Sequence, residues 1–494
     1  MIKASIKYSQ IIFVIAIIIY GITAVNSHGF YHADEHYQII EFAGLKLGTH
    51  NSNELTWEYK SQIRSTIQPT LAYLVFSFQE AIGITNPYNK ALWLRLLTAI
   101  LALCSIRVFV KNTEQFIDNS KLLPAYHVLS YFLWFLPFIS VRFSSETWGG
   151  LFFLLALSVY FNQYKKPWLI GLLFGLSFLF RYQMGLAFIG FFCWLLVCNK
   201  HTWQFYIKLG LGICLVLLLG IAIDSWFYGN FTITVWNYFY VNIIENVAAS
   251  FGESPWYFYL ENILFYPHYF VGTIIYLALA TTLIFQPRNV FLWCILSFVT
   301  LHSIISHKEI RFLFPLVYLL PIIITLSIHS WNKQLKNQTL KKSIAILFGV
   351  LLIITNGIGL LAQSTKGAGM ARTTISKFVH ETYTNKRLHL IYTSWANPYN
   401  PWHKVPMKFY QENNMTDVRI KSLCQLNNSL VNPEKVSLLI IRKVDLNNTK
   451  CADFIKQHQF TLVKSSIPSW MQTNSLFNAT YQDKNILMLF KYTP

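Results

Sequence analysis

Apolar runs of membrane-crossing length recur along this chain, and no other feature of it constrains the fold so strongly. Eleven of them lie at about 8–26, 91–110, 124–141, 147–162, 167–181, 182–199, 204–223, 268–286, 289–306, 312–329 and 343–362. A helix needs about 20 mostly apolar residues to cross a bilayer, and in hydrocarbon its backbone polar groups must be satisfied within the segment. The runs therefore predict an all-α polytopic membrane protein with about 11 transmembrane helices. Composition agrees, since only 12% of the 494 residues are charged against about 25% in soluble domains. The run from Tyr8 to Val25 is too long for a signal-peptide core and lacks a clear cleavage site, so it reads as a retained first helix. A further segment, 68–84, is apolar but carries Gln68, Pro69, Gln79 and Glu80, and it reads as an interfacial or re-entrant piece.

Charge orients the runs. The formal net charge is +19, and lysines gather in short loops: Lys3 and Lys7, Lys111 and Lys121, Lys165 and Lys166, and Lys333 to Lys342. Placing these loops on the cytoplasmic side satisfies the positive-inside rule. Isolated short loops build no basic groove, which excludes nucleic acid as a partner. The opposite, exoplasmic side then receives a long first loop, 27–90, the loop 224–267, and a tail. The expected division is a transmembrane domain over 1–362 and a small C-terminal α/β domain over 363–494. That domain is predicted from strand-like runs at Leu388–Tyr392, Val436–Ile441 and Ile486–Phe490. Cys424 and Cys451 lie in it and are able to pair if it is outside the cytosol.

The exoplasmic face collects the residues able to do chemistry. The first loop opens with His32-Ala-Asp-Glu-His-Tyr-Gln38, which spells H-x-x-E-H, the pattern of a zinc peptidase family. A third ligand would come from Glu41, Glu54 or Glu58. The same letters contain the carboxylate pair Asp34 and Glu35, which suits a general base without metal, and they also fit a solvated loop. Farther along the loop, Glu58 and Arg64 stand near Trp57 and Tyr59, whose rings suit sugars as well as the membrane interface. Arg142 and Glu146, Arg181, Asp224 and Glu245 follow at helix ends, where charge in a membrane protein is solvated, paired or used. The densest cluster is "HKEIRFLFP", with His307, Lys308, Glu309 and Arg311 in five residues. A basic cluster on this face points to an anionic ligand such as a lipid phosphate.

Taken in order and spacing, "HADEHYQIIE", "LTWEYKSQIRS", "DSWFYG", "FGESPWYFYL" and "HKEIRFLFP" resemble glycosyltransferase family 22, the multi-pass α-mannosyltransferases of the GT-C fold. The resemblance covers roughly 10–330. The tail stretch "NPYNPWHKVPMKFY", Asn397 to Tyr410, is similar to the branch that adds the third mannose of the glycosylphosphatidylinositol (GPI) core. Two positions depart from the family pattern: Ala33 stands where Pro is usual, and His36 where an aromatic residue is frequent. The resemblance implies an inverting transfer of mannose from a polyprenyl (dolichyl-type) phosphate donor to a hydroxyl of a lipid-linked glycan or glycolipid. It implies Asp34 as general base, with Glu35 orienting the acceptor or supporting the loop. His307, Lys308 and Arg311, with Arg64, would neutralise the donor phosphate. Glu58, Asp224 and Glu245 would bind the acceptor or support the site. No cofactor and no metal ion is required by this scheme.

The rival classes are a transporter or polymerase of lipid-linked sugars and a zinc-dependent membrane hydrolase. A transporter would carry paired ionisable residues near mid-span and two related halves, whereas here the polar residues gather at outer helix ends. The expected location is the endoplasmic reticulum membrane in a eukaryote, or the plasma or inner membrane in a bacterium.

Overall fold

A computed structural model of the chain describes residues 2–162, 166–334, 337–368, 372–400, 405–411, 415–432, 434–469, 472 and 483–493. Every one of the apolar runs is helical. Among the described residues, five helices are long and apolar enough to cross a membrane: Tyr8–Asn26, Pro87–Phe116, Trp203–Tyr228, Ile310–Gln334 and Ala345–Thr365. Tyr269–Phe285 and Val290–Ile304 form a bent pair whose axes turn through 119°. The apolar helices Ser145–Phe161, Pro167–Phe180 and Met184–Cys198 are shorter. The run at 124–141 is broken into Leu123–Phe132 and Leu136–Ser140. Against the expected count of about 11 spans, the described residues hold five helices of crossing length and composition, or six with the bent pair taken as one, plus shorter pieces. The segment around 68–84 forms the helix Ile67–Ala81, whose 15 residues fall short of a full crossing.

The chain divides into two units. One comprises Met1–Asn26, Ser61–Ala72 and Trp93–Lys366, and the other comprises Ser27–Lys60, Tyr73–Leu92 and Gly367–Pro494. The first unit is the helical body. Leu211, Leu215, Leu218 and Leu219 remain exposed on Trp203–Tyr228, as a face meant for lipid rather than water would.

The second unit is built on a mixed five-stranded sheet: β1 Leu388–Thr393, β2 Met415–Ile420, β3 Val436–Arg442, β4 Phe460–Ser465 and β5 Leu487–Tyr492. Its spatial order is β2-β1-β3-β5-β4. β1 runs parallel to β2 and β3, while β5 runs antiparallel to β3 and β4. Alternate side chains leave opposite faces of a strand, so each central strand feeds two cores. Leu388, Leu390, Leu438, Ile440, Leu487 and Leu489 pack on one face together with Phe30 and Tyr37 of the first loop. Ile391, Leu439, Ile441 and Phe490 pack on the other with Leu423 and Ile455. The first loop is therefore pinned by aromatic side chains in the same core as the tail's sheet.

Candidate functional site

The residues picked out by sequence form two clusters, one within each unit.

In the second unit, "HADEHYQIIE" does not form one continuous α-helix. Ala33–Glu35 is a single α-helical turn, and His36–Ile40 continues as a π-helical turn before Glu41–Lys46. The start is capped by His32, whose Nδ1 accepts from the backbone N–H of Asp34 at 3.3 Å. Accepting there, Nδ1 carries no proton to offer the Asp34 carboxylate, 3.6 Å away. Asp34 keeps its side chain 21% exposed. Glu35 turns inward and accepts from the Tyr31 backbone N–H at 3.2 Å. The acidic pair is thus split, with one carboxylate presented and one holding the loop.

His36 goes elsewhere. Its Nε2 lies 2.5 Å from Glu41 Oε1, and His50 Nε2 contacts Glu41 Oε2. Glu41 is fully buried, and burial alone would raise its pKa. The two imidazoles outweigh that effect and hold it down from 4.5 to about 2. The His36 ring is stacked between Phe30 and Tyr410. The backbone N–H of Phe409 donates to Glu41 at 3.3 Å, and Lys408 pairs with Glu54. The tail stretch that resembled the GPI branch is therefore the wall against which the acidic loop is built, although its residues 401–404 lie outside the described residues. The two histidines of the zinc spelling serve different partners, and no group of three or more His, Cys, Asp and Glu among the described residues is arranged to hold a metal ion. Glu58 is buried and accepts from Gln38 Nε2 at 2.8 Å.

In the first unit, the "HKEIR" cations are engaged in a dense network. Arg311 donates from Nε and Nη2 to Glu309 at 2.6 and 3.2 Å, and from Nη1 to Glu146 at 2.8 Å. Arg181 Nη1 reaches the same Glu146 oxygen at 3.2 Å. Both guanidiniums lie over the Phe312 ring, at 5.0 and 5.2 Å. His307 sits between two groups that only accept, with Nδ1 3.0 Å from the Gly252 carbonyl and Nε2 3.0 Å from Glu309. Lys308 Nζ donates to the Ser254 carbonyl at 2.8 Å, and Ser254 N–H donates to the Ser306 carbonyl at 3.0 Å. The "FGES" and "SHKE" loops are thereby stitched together.

Asp224 is buried and accepts from Thr66 N–H, Thr66 Oγ and Thr234 Oγ at 2.6, 2.7 and 2.5 Å. It knots three segments together. The Arg64 guanidinium lies 5.9 Å from the centroid of the Tyr238 ring, and its carbonyl accepts from Tyr228 Oη at 2.9 Å. Glu245 is exposed at the end of the π-helical turn Tyr240–Ile244. Sequence reasoning placed Glu146 and Arg181 at helix ends without giving them a role. Their signal was charge at the rim of an apolar helix, and the pairing between them was invisible. Cys424 is disulfide-bonded, while the side chain of its expected partner Cys451 lies outside the described residues.

Comparison with known proteins bears on both clusters. The profile of the Alg9-like mannosyltransferase family matches residues 11–412. The chain is 27% identical over 338 residues to GPI mannosyltransferase 3 of Candida albicans, covering 67% of this chain and 64% of that protein. It is 25% identical over 364 residues to GPI mannosyltransferase 3 of Debaryomyces hansenii, covering 69% and 64%. It is 22% identical over 397 residues to GPI alpha-1,2-mannosyltransferase 3 of Bos taurus, covering 76% and 69%. The chain thus spans 64% of the length of both fungal relatives. Among solved structures it resembles ArnT from Cupriavidus metallidurans. The apo form matches with a TM-score of 0.52 at 12% identity, and the form bound to undecaprenyl phosphate with 0.50 at 10%. Each match covers 98% of both chains, and at such identity the likeness speaks to fold alone.

Proposed function

The chain belongs to the Alg9-like mannosyltransferase family, and from that premise we propose that it is an inverting α-mannosyltransferase. It moves mannose from a polyprenyl- or dolichyl-phosphate donor to a hydroxyl of a GPI-precursor-like or other lipid-linked glycan. The observation that carries the reading is the family match running through both clusters, together with the presentation of Asp34 at the loop surface while Glu35 is turned inward.

The chemistry follows from the groups present. The acceptor oxygen attacks the anomeric carbon of mannose as the bond to the phosphate oxygen breaks on the opposite face of the sugar. The acceptor proton passes to an Asp34 oxygen, and the lipid phosphate departs with the bonding electron pair. A carboxylate is basic enough because the hydroxyl proton becomes acidic only as the new bond forms. Charge builds on the phosphate, and preorganised cations stabilise it. His307, Lys308 and Arg311, with Arg64, are assigned that role. Lys308 has three N–H donors, so its bonds to the Ser254 and Ser306 carbonyls still leave one for a phosphate oxygen. Glu58 and Asp224 support the fold around these groups, and Glu245 is assigned to the acceptor. A single-displacement path inverts the anomeric centre, so a β-linked donor gives an α-linked product.

The site is assigned to the lumenal or exoplasmic side of the membrane, in the endoplasmic reticulum as for a GPI-pathway enzyme. Lysine-rich loops on the other side support this, as does the disulfide at Cys424, since such bonds persist in oxidising compartments. The test is to incubate membranes containing the protein with labelled polyprenyl-phosphate-mannose and candidate glycolipids and to identify the labelled product. Asp34→Asn should abolish most of the turnover while leaving the protein folded. Near-normal transfer by that variant would remove Asp34 from the base role.

A further inference from the structure

From the geometry of the buried ion network we infer that Glu146 is a positioning residue for the donor phosphate, holding Arg311 and Arg181 side by side through one carboxylate. The inference rests on the assignment of Arg311 to the phosphate.

The motif that carries it is "SSETWGG", which the proposed chemistry leaves unused. Ser144 caps the helix Ser145–Phe161 by accepting from the Thr147 N–H at 3.3 Å. Glu146 therefore falls in the first turn, where the helix dipole favours negative charge. Two glycines follow at once. A Cβ on Gly149 would meet the Cβ of Arg181 at 2.9 Å, and a Cβ on Gly150 would meet the carbonyl oxygen of Pro315 at 2.5 Å. The helix is thus drawn against Arg181 through one glycine and against the segment after Arg311 through the next. Ser177 Oγ reinforces the first contact by donating to the Gly149 carbonyl at 2.7 Å. One turn earlier, this close approach puts Glu146 within reach of both arginines.

The arrangement does more than neutralise charge. Arg311 is gripped along its Nε–Nη2 edge by Glu309 and at Nη1 by Glu146. A planar guanidinium held from two sides has its orientation fixed. Arg181 shares the same Glu146 oxygen and is also held by Ser145 Oγ at 3.2 Å. Two like charges this close repel, and the shared carboxylate is what lets them stand together. All three side chains are nearly or fully buried, so little water screens the set. Removing the Glu146 charge takes away the hold on Arg311 at Nη1 and lets the two cations move apart.

The test uses the purified full chain with polyprenyl-phosphate-mannose and a glycolipid acceptor. Glu146→Gln should lower kcat/KM for the donor at least about tenfold while the KM for the acceptor stays within about twofold. Placed in an Arg311→Lys background, the same change should cost no more than about twofold further, because groups acting through one another are not additive. A Glu146→Gln enzyme within about twofold of wild type overturns the inference, and so does a full additive loss in the double variant. If Glu146→Gln fails to fold, Glu146→Asp keeps the charge but is one methylene shorter and withdraws the oxygen that both arginines share. Its donor kcat/KM should also fall, and a wild-type value overturns the inference equally. Wild-type donor kinetics in Arg311→Lys and Arg311→Ala would instead sink the phosphate assignment itself.

Discussion

Glu146 and Arg311 stand 165 positions apart in the sequence and meet at 2.8 Å with both side chains buried. Removing one member of a buried pair leaves the other uncompensated, at about 3–5 kcal/mol. Arg311→Ala is expected to lose less than that, because Glu146 keeps Arg181 at the same oxygen. Replacing all three charges together, as Glu146→Leu with Arg181→Met and Arg311→Met, should recover part of the stability, since apolar packing often replaces a buried ion triad without loss. Donor turnover should not recover with it. Thermal unfolding in detergent and transfer assays on the same preparations check the two halves separately.

The adjacent glycines are expected to respond unequally. At Gly150 the added Cβ meets backbone of Pro315 at 2.5 Å, which cannot swing aside, whereas at Gly149 its contacts are longer: Arg181 Cβ at 2.9 Å, then the Met184 side chain and the Ser177 carbonyl at 3.3 Å. Overpacking costs about 1–3 kcal/mol, so Gly150→Ala should fall at the upper end and Gly149→Ala below it. Melting temperatures of the two variants, compared with wild type, measure the order.

Glu41 gives a pH signature. Its folded-state pKa is held down to about 2 from 4.5, because the two imidazoles outweigh the penalty of burial. A depressed acid adds stability that is fully present above its ordinary pKa and is lost as pH falls from about 4.5 through about 2. Glu41→Gln should therefore be less stable than wild type near neutral pH, by about 3–5 kcal/mol, and the gap should close in that acid window. Hydrogen exchange over 27–60 as a function of pH reads it locally. A gap that stays constant down to pH 2 would falsify the assignment of the bracket to Glu41.

What the sequence made legible follows how much of each element is buried. The apolar runs announced their helices because hydrocarbon and core both demand apolar residues. Of the five strands, those expected were β1, β3 and β5, the three central ones, of which β1 and β3 are mostly buried and β5 is half-buried. The two overlooked, β2 and β4, are the sheet edges, and "MTDVRI" and "FTLVKS" are polar because one side of each meets solvent. At the candidate sites, residue types were readable and partners were not. His36 spelled a metal ligand, yet the π-helical turn and the stacking of Tyr410 aim its ring at Glu41. Glu146 looked like a lone acid at a helix end, since nothing in its neighbourhood of sequence names Arg311. Contacts between residues hundreds of positions apart leave no local pattern.

The split of the acidic pair yields the last prediction. Asp34 and Glu35 are neighbours with the same charge, so composition alone gives them equal claims to the base role. Geometry separates them: Glu35 accepts from the Tyr31 N–H, while Asp34 keeps its carboxylate at the loop surface. A positioned base contributes about 10²–10⁴-fold to rate, so Asp34→Asn should lower kcat within that range. Glu35→Gln retains a carbonyl oxygen able to accept from Tyr31, and its kcat should fall about tenfold or less. Measured kcat values for both variants, on protein that elutes as a single species, decide the matter. If Glu35→Gln proves the more damaging of the two, the inward carboxylate is the one that takes the proton and the roles must be exchanged.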